Sequence, residues 1–277
     1  MHFRSIIKKK PFLIAEIGWN FLGDIKLAKK MIREAKNSGA DSVKIQTFDC
    51  NNLRKGPWDN DGRRKLYKRS SMTLEKYKKL HEYAKQKKII FFSSFFNRKD
   101  LIKYKSIDNY IIKIASSECT NTDLINLALK YFKNVIISTG MTNRRDLKKL
   151  LRYKNNKKVF FLHCVSSYPL DHKNCNFQKF FYLKNNFNNY IGYSGHANGI
   201  EDAIFALSNG AKIIEKHFTI DRNLMGKDNQ FSITGKEMKE IVKWRNLITQ
   251  MNINKGLEIQ NSEKASLSFK DRWNKDN

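Results

Sequence analysis

The feature that most constrains this 277-residue chain is an alternation. Short apolar runs rich in β-branched and aromatic residues recur along it, and an amphipathic segment follows nearly every one. The runs are FLIAEI (12–17), SVKIQ (42–46), IIFFSS (89–94), YIIKIA (110–115), VIIST (135–139), VFFLHC (159–164), YIGYS (190–194) and AKIIEKH (211–217). Near-continuous apolar strands are covered on both faces, which implies a parallel sheet. Helix-period spacing is plainest in 24–38, where Ile25, Ala28, Met31, Ile32 and Ala35 share a face. Further helices are expected over 73–87, 97–105, 121–132, 143–153, 198–209 and 235–250, while 174–185 carries a weaker pattern. Eight such units in roughly 200–250 residues predict the α/β class and a (β/α)₈ TIM barrel. An open doubly wound sheet is the alternative, and the lack of a GxGxxG after the first run weighs against it.

The barrel is assigned to residues 1–250, and 251–277 reads as an extended tail. Residues 47–72, rich in Asn, Asp and Arg, are expected to form a loop over the barrel mouth. No apolar run approaches the roughly 18 residues of a membrane helix. The apolar stretch after the N-terminal lysines is interrupted by Glu16 and does not read as a signal peptide. Cys50, Cys119, Cys164 and Cys175 include no CxxC pair, which points to a reducing, cytoplasmic compartment and away from thiolate zinc. Lys+Arg is 54 and Asp+Glu 26, a net charge of +28. The lysines lie along the polar faces of helical segments such as LAKKMIREAK, so the surplus reads as solvated surface. It favours anionic small substrates, and neither a membrane nor a specific nucleic acid is expected as partner.

Chemistry in a barrel sits at the C-terminal ends of its strands. The polar residues that fall there are Glu16 with Asn20, Lys44 with Gln46, Ser93 and Ser94, Lys113 with Ser116, Ser138, His163 with Ser166 and Tyr168, Ser194 with His196, and His217. Any one of them could be a loop residue or a satisfied core group. Lys44 and Lys113 are harder to dismiss, because an unpaired ammonium inside an apolar strand is expensive. Two lysines in one mouth point to an anionic ligand such as phosphate or carboxylate, with serine hydroxyls as donors. His196 and His217 close the seventh and eighth runs, which are neighbours in a barrel, and so are candidates to hold one divalent metal with positions left open for substrate.

The segments IAEIGWN (14–20), GADSVKIQT (39–47), FFSSFF (91–96), IIKIASSE (111–118), IISTGM (136–141), FLHCVSSYP (161–169), IGYSGHANG (191–199), GAKIIEKHFT (210–219) and GKDNQFSI (226–233) together resemble the sialic acid synthases and their relatives for legionaminic and pseudaminic acid. The resemblance implies a C–C bond-forming transferase for surface glycan synthesis. Its members condense phosphoenolpyruvate with an N-acetylated hexosamine (N-acetylmannosamine or a diacetamido hexose) to a nine-carbon 2-keto sugar acid plus phosphate. By resemblance Lys44, Ser94, Lys113, Ser116, Ser138, Tyr168 and Ser194 bind phosphoenolpyruvate, with Ser166 standing where the family often has Asn. By the same resemblance His196 and His217 bind the metal, typically manganese, with magnesium or cobalt as alternatives. Glu16, Gln46 and Asp228 contact the sugar and Phe96 lines its pocket. Glu16, Lys44, Lys113 and Asp228 are the expected catalytic set. Three motifs depart from the family: Asn20-Phe21 replaces Asn-His, Ser194-Gly195-His196 replaces Ser-Asp-His, and Gly226-Lys227-Asp228-Asn229 replaces Gly-Pro-Asp-His. No counterpart of the family's C-terminal antifreeze-like domain is expected, since SEKASLSFKDRW (262–273) resembles only the linker into it. Members are usually dimers, so a homodimer is the expected assembly, and a separate chain is a candidate source of the missing domain. A related synthase acting on another aldose and a non-catalytic barrel are the competing readings.

Overall fold

The eight apolar runs form eight parallel strands: β1 (Phe12–Gly18), β2 (Ser42–Thr47), β3 (Ile90–Phe95), β4 (Ile111–Ile114), β5 (Asn134–Ser138), β6 (Val159–His163), β7 (Ile191–Gly195) and β8 (Ile213–His217). Each pairs with its sequence neighbour, and β8 closes on β1, giving a (β/α)₈ barrel in the computed structural model, which describes residues 3–270. The helices are α1 (Phe3–Lys9), α2 (Ile25–Asn37), α3 (Arg63–Ser70), α4 (Leu74–Gln86), α5 (Arg98–Tyr104), α6 (Thr122–Tyr131), α7 (Arg144–Leu150), α8 (Phe177–Asn186), α9 (Glu201–Ser208), α10 (Lys227–Phe231) and α11 (Gly235–Met251). Among the described residues no helix is long and apolar enough to cross a membrane.

The two-residue period of a strand divides the core in two. In β1, Leu13, Ala15 and Ile17 face outward and pack with Ala28, Met31 and Ile32 of α2. Phe12 and Ile14 face inward and join Phe92, Ile111, Ile136, Phe160, Leu162 and Ile213 in the barrel lumen. Phe3 and Ile7 of α1 belong to this inner cluster, with the Phe3 ring 4.9 Å from Phe12 and 5.0 Å from Phe160. Phe12, Ile111 and Ile213 open their strands, so α1 plugs the N-terminal end of the barrel. The same alternation carries Glu16, Lys44, Lys113 and Glu215 inward one step nearer the open end. Register places Glu16 beside both Lys44 and His217, Ser94 beside Lys113, and Ser194 beside Glu215.

Three segments differ from the reading of the sequence. The connection 47–72 is not all loop, since α3 forms within it. The weak pattern at 174–185 is helix α8, and α1 adds a helix before the first strand. Of the C-terminal segment, 251–270 is described and carries short 3-10 turns over Asn261–Phe269 with no buried residue, while 271–277 lies outside the described residues.

Candidate active site

The open end of the barrel holds a cavity of about 270 Å³. Glu16, Lys44, Gln46, Ser94, Phe96, Lys113, Ser116, Ser138, Tyr168, Ser194, His196, His217 and Asp228 all line it. Ser166 lies just behind the wall: a Cβ on Gly140 would fall 2.4 Å from its Oγ, 2.7 Å from Ser116 Oγ and 2.8 Å from Cys164 Sγ. The bare Gly140 thus leaves a small cradle walled by two hydroxyls and a thiol. Ser138 Oγ and Ser166 Oγ are buried with no hydrogen-bond partner among the described residues. Buried hydroxyls left this way need an acceptor, and an anion supplies one.

The two strand lysines are paired. Lys44 Nζ lies 2.8 Å from Glu16 Oε2 and 3.8 Å from Glu215 Oε2, and donates to Ser94 Oγ at 3.2 Å. Lys113 Nζ donates to Glu215 Oε1 at 3.2 Å, and Ser194 Oγ donates to the same oxygen at 2.9 Å. Glu215 is the functional candidate the sequence reading missed. It stands between Ile213 and His217 on the inward face of β8, so a two-residue count along AKIIEKH would have found it. Burial works against the charge on Glu215, but Lys113, Lys44 and the Ser194 hydroxyl outweigh it and hold the carboxyl down at about 2. Burial pushes Glu16 up to about 7 against the pull of Lys44, with Glu215 adding to the rise. Burial also lowers the Lys113 ammonium, opposed chiefly by Glu215.

His196 follows β7 and its Nδ1 lies 2.7 Å from Val165 O, so Nδ1 carries the proton and the Nε2 lone pair is free. His217 ends β8, its ring centroid 5.6 Å from that of His196. Its Nδ1 is buried without a hydrogen-bond partner, 3.9 Å from Asp228 Oδ2. Burial holds both imidazoles neutral, His196 down at about 4 and His217 well below its ordinary value. Both imidazoles are neutral and one of them, His196, has its other nitrogen pinned by a carbonyl, so the pair fits a divalent cation and leaves most of its coordination positions to other ligands. Burial raises Asp228 to about 6 against Lys227. Tyr168 packs over His196 at 4.3 Å between centroids and Phe96 lies 6.4 Å from Phe48, so aromatic rings wall the mouth. α3 lends Tyr67 to that wall, 6.0 Å from Phe48.

Three strand-end residues have structural posts instead. Asn20 donates to Phe218 O at 2.9 Å and Ser232 Oγ at 3.1 Å, and Asn229 Nδ2 donates back to Asn20 O at 3.1 Å, which ties the loops after β1 and β8. His163 and Ser93 face outward, because Leu162 and Ser94 beside them face in. His163 Nε2 bonds Cys175 O at 2.8 Å, and Ser93 Oγ donates to Thr47 Oγ1 at 2.7 Å. All four cysteines are free and buried.

The model of the NeuB family matches residues 31–255. A pseudaminic acid synthase of Campylobacter jejuni subsp. jejuni serotype O:23/36 is 33% identical over 248 residues, covering 84% of this chain and 72% of the relative. An N,N'-diacetyllegionaminic acid synthase of Campylobacter jejuni subsp. jejuni serotype O:2 is 34% identical over 247 residues, covering 83% and 74%. A crystal structure of N-acetylneuraminic acid (sialic acid) synthetase from Leptospira borgpetersenii serovar Hardjo-bovis, in complex with citrate, superposes with a TM-score of 0.86 at 34% identity, covering 94% of this chain and 91% of that one. With a family match over most of its length on a barrel of the same architecture, the chain belongs to the NeuB family.

Proposed function

We propose that this protein condenses phosphoenolpyruvate with an N-acetylated hexosamine, releasing phosphate and a nine-carbon 2-keto sugar acid for surface glycan synthesis. The observation that carries the reading is one cavity in which two buried lysines and the unpartnered Ser138 hydroxyl face two neutral imidazoles. Lys44, Lys113, Ser94, Ser116, Ser138, Ser166, Tyr168 and Ser194 bind phosphoenolpyruvate. Glu16, Gln46, Phe96 and Asp228 hold the sugar. His196 and His217 hold a divalent cation, manganese in this proposal, which when bound would polarise the sugar aldehyde as a Lewis acid. C3 of phosphoenolpyruvate attacks the aldehyde carbon, and C2 takes positive charge. Water adds at C2, and phosphate leaves with cleavage of its C–O bond. Lys113 and Lys44 offset the negative charge of the ligand throughout, and their own burial strengthens that effect. Glu16, raised to about 7, and Asp228, raised to about 6, are able to exchange a proton with a sugar hydroxyl or the adding water near neutral pH. Relatives named for pseudaminic and diacetyllegionaminic acid support diacetamido hexoses beside N-acetylmannosamine. A homodimer in the cytoplasm is the proposed setting.

The test is phosphate release from phosphoenolpyruvate by the purified chain with Mn²⁺ and each sugar, with chelator as control and product mass as readout. Sugar-dependent, chelator-sensitive release is expected. His217→Ala should abolish that release while circular dichroism shows the barrel intact. No release with any sugar, even after addition of a separate antifreeze-like chain, refutes the proposal.

A further inference from the structure

The segment bearing His196 is held from three sides. The imidazole Nδ1 donates to Val165 O at 2.7 Å, the His196 carbonyl accepts from Leu170 N at 2.9 Å, and the next carbonyl, of Ala197, accepts from Lys216 Nζ at 2.8 Å. Lys216 precedes His217 on β8, so its side chain leaves the barrel wall on the opposite side. There Asp202 of α9 takes the ammonium through both carboxylate oxygens, at 3.0 and 3.1 Å, and Tyr193 OH donates to Asp202 Oδ2 at 3.2 Å. All three side chains are buried, and neither Asp202 nor Lys216 reaches the cavity. Asp202 also fills the space that Gly195 leaves beside His196, because a Cβ on Gly195 would lie 2.3 Å from Asp202 Oδ2. A buried ion pair is a poor stabiliser beside an apolar pair of the same volume, since both charges lose their water. Its particular effect here is directional: it fixes a lysine on a carbonyl one residue from an imidazole.

We infer that Asp202, acting through Lys216, is a positioning residue that orients His196 for its cation, with Gly195 as the gap that admits it. The inference rests on the reading of His196 as a metal ligand. The test titrates Mn²⁺ alone into the purified chain and its variants by calorimetry, with Tm and phosphoenolpyruvate affinity measured alongside. Direct outer partners of a ligand typically change metal affinity by about 10- to 100-fold; Asp202 acts one step further out, through Lys216 and the Ala197 carbonyl, so Asp202→Ala should weaken Mn²⁺ by about 10-fold, the lower end of that range, while phosphoenolpyruvate affinity holds. The relocated carboxylate Gly195→Asp/Asp202→Ala should recover Mn²⁺ affinity, whereas Gly195→Asp alone should lose it, because two groups then claim one space. Asp41→Asn breaks another ion pair, with Arg245 at 2.7 Å and away from the cavity, and should lower Tm without changing Mn²⁺ affinity. Should Asp202→Ala not fold, Asp202→Asn keeps the shape and carries the same expectation. Undiminished Mn²⁺ affinity in a folded Asp202 variant overturns the inference. So does a loss that the relocated carboxylate leaves uncorrected. Equal binding by wild type and His196→Ala overturns the metal assignment and this inference with it.

Discussion

Lys44, Lys113, Glu16 and Glu215 form a buried quartet in which two ammonium groups meet two carboxyls. With Glu16 raised to about 7 and Glu215 held at about 2, the quartet sheds negative charge more readily than an ordinary pair of carboxyls. That suits an incoming trianionic ligand, for which Lys113 is the better-placed cation because its carboxylate partner is shared with Lys44 and Ser194. Removing one preorganised donor to a charged ligand costs about 100-fold or more, so Lys113→Met should lower kcat/KM for phosphoenolpyruvate by that order and leave KM for the sugar nearly unchanged. Steady-state kinetics with each substrate varied would check it, and equal losses on both substrates would put the anion site elsewhere. The lysines were legible because a cation inside an apolar run is anomalous. Glu215 carries the same anomaly, but as the first half of a Glu-Lys pair near the end of a run it resembles an ordinary strand exit. Only the inward register of β8, with Ile213 and His217 on the same face, shows what it is.

The elements divide labour between the two ends of the barrel. The open end carries the cavity, and the other is sealed by α1, whose Phe3 is fully enclosed among Phe12, Phe160 and Tyr110. Truncating an enclosed phenylalanine costs about 3–5 kcal/mol, so Phe3→Ala should lower the denaturant midpoint by that equivalent. KM for phosphoenolpyruvate should stay constant, because the plug lies at the far end from the ligand. A fall in stability without a kinetic change confirms that α1 is a plug and not part of the site. α1 escaped the reading of the sequence because seven residues, FRSIIKK, are too short to display a helical period. α3 escaped for a different reason: RRKLYKRS has almost no apolar face of its own, and its helix stands on contacts such as Tyr67 with Trp19 and Phe48.

At the scale of the whole molecule, the buried histidines contribute to the response to acid. His163 and His196 are both held at about 4, first by burial, against an ordinary value of 6.5. Between those limits the unfolded chain binds more protons than the folded one, so this contribution to stability grows as pH rises from about 4 to 6.5 and is lost as pH falls through that window. Glu16 and Asp228, raised by burial, act in the opposite sense over part of the same range. The measurable consequence lies in a difference. Denaturant midpoints should fall less between pH 7 and pH 5 in His163→Gln than in wild type, and an identical fall would show that His163 does not contribute. His163 lies outside the cavity, so its variant leaves the site's own chemistry in place.

The linear chain by itself determined the barrel, because eight apolar runs separated by helical periods can bury their faces in few other ways. It also marked eleven of the cavity-lining residues, because polar groups at the ends of apolar strands have one common place to point, and the family resemblance added Phe96 and Asp228. Tertiary structure alone decided which charges pair and which side chains face the lumen. Asp202 meets Lys216 across 14 residues of sequence, and Lys113 meets Glu215 across 102. Pairings of that kind depend on strand register and barrel closure, and no local pattern encodes them. The ionisation of Glu16, Asp228 and the two imidazoles follows from burial in the closed barrel, a property of the enclosed volume rather than of any residue in it.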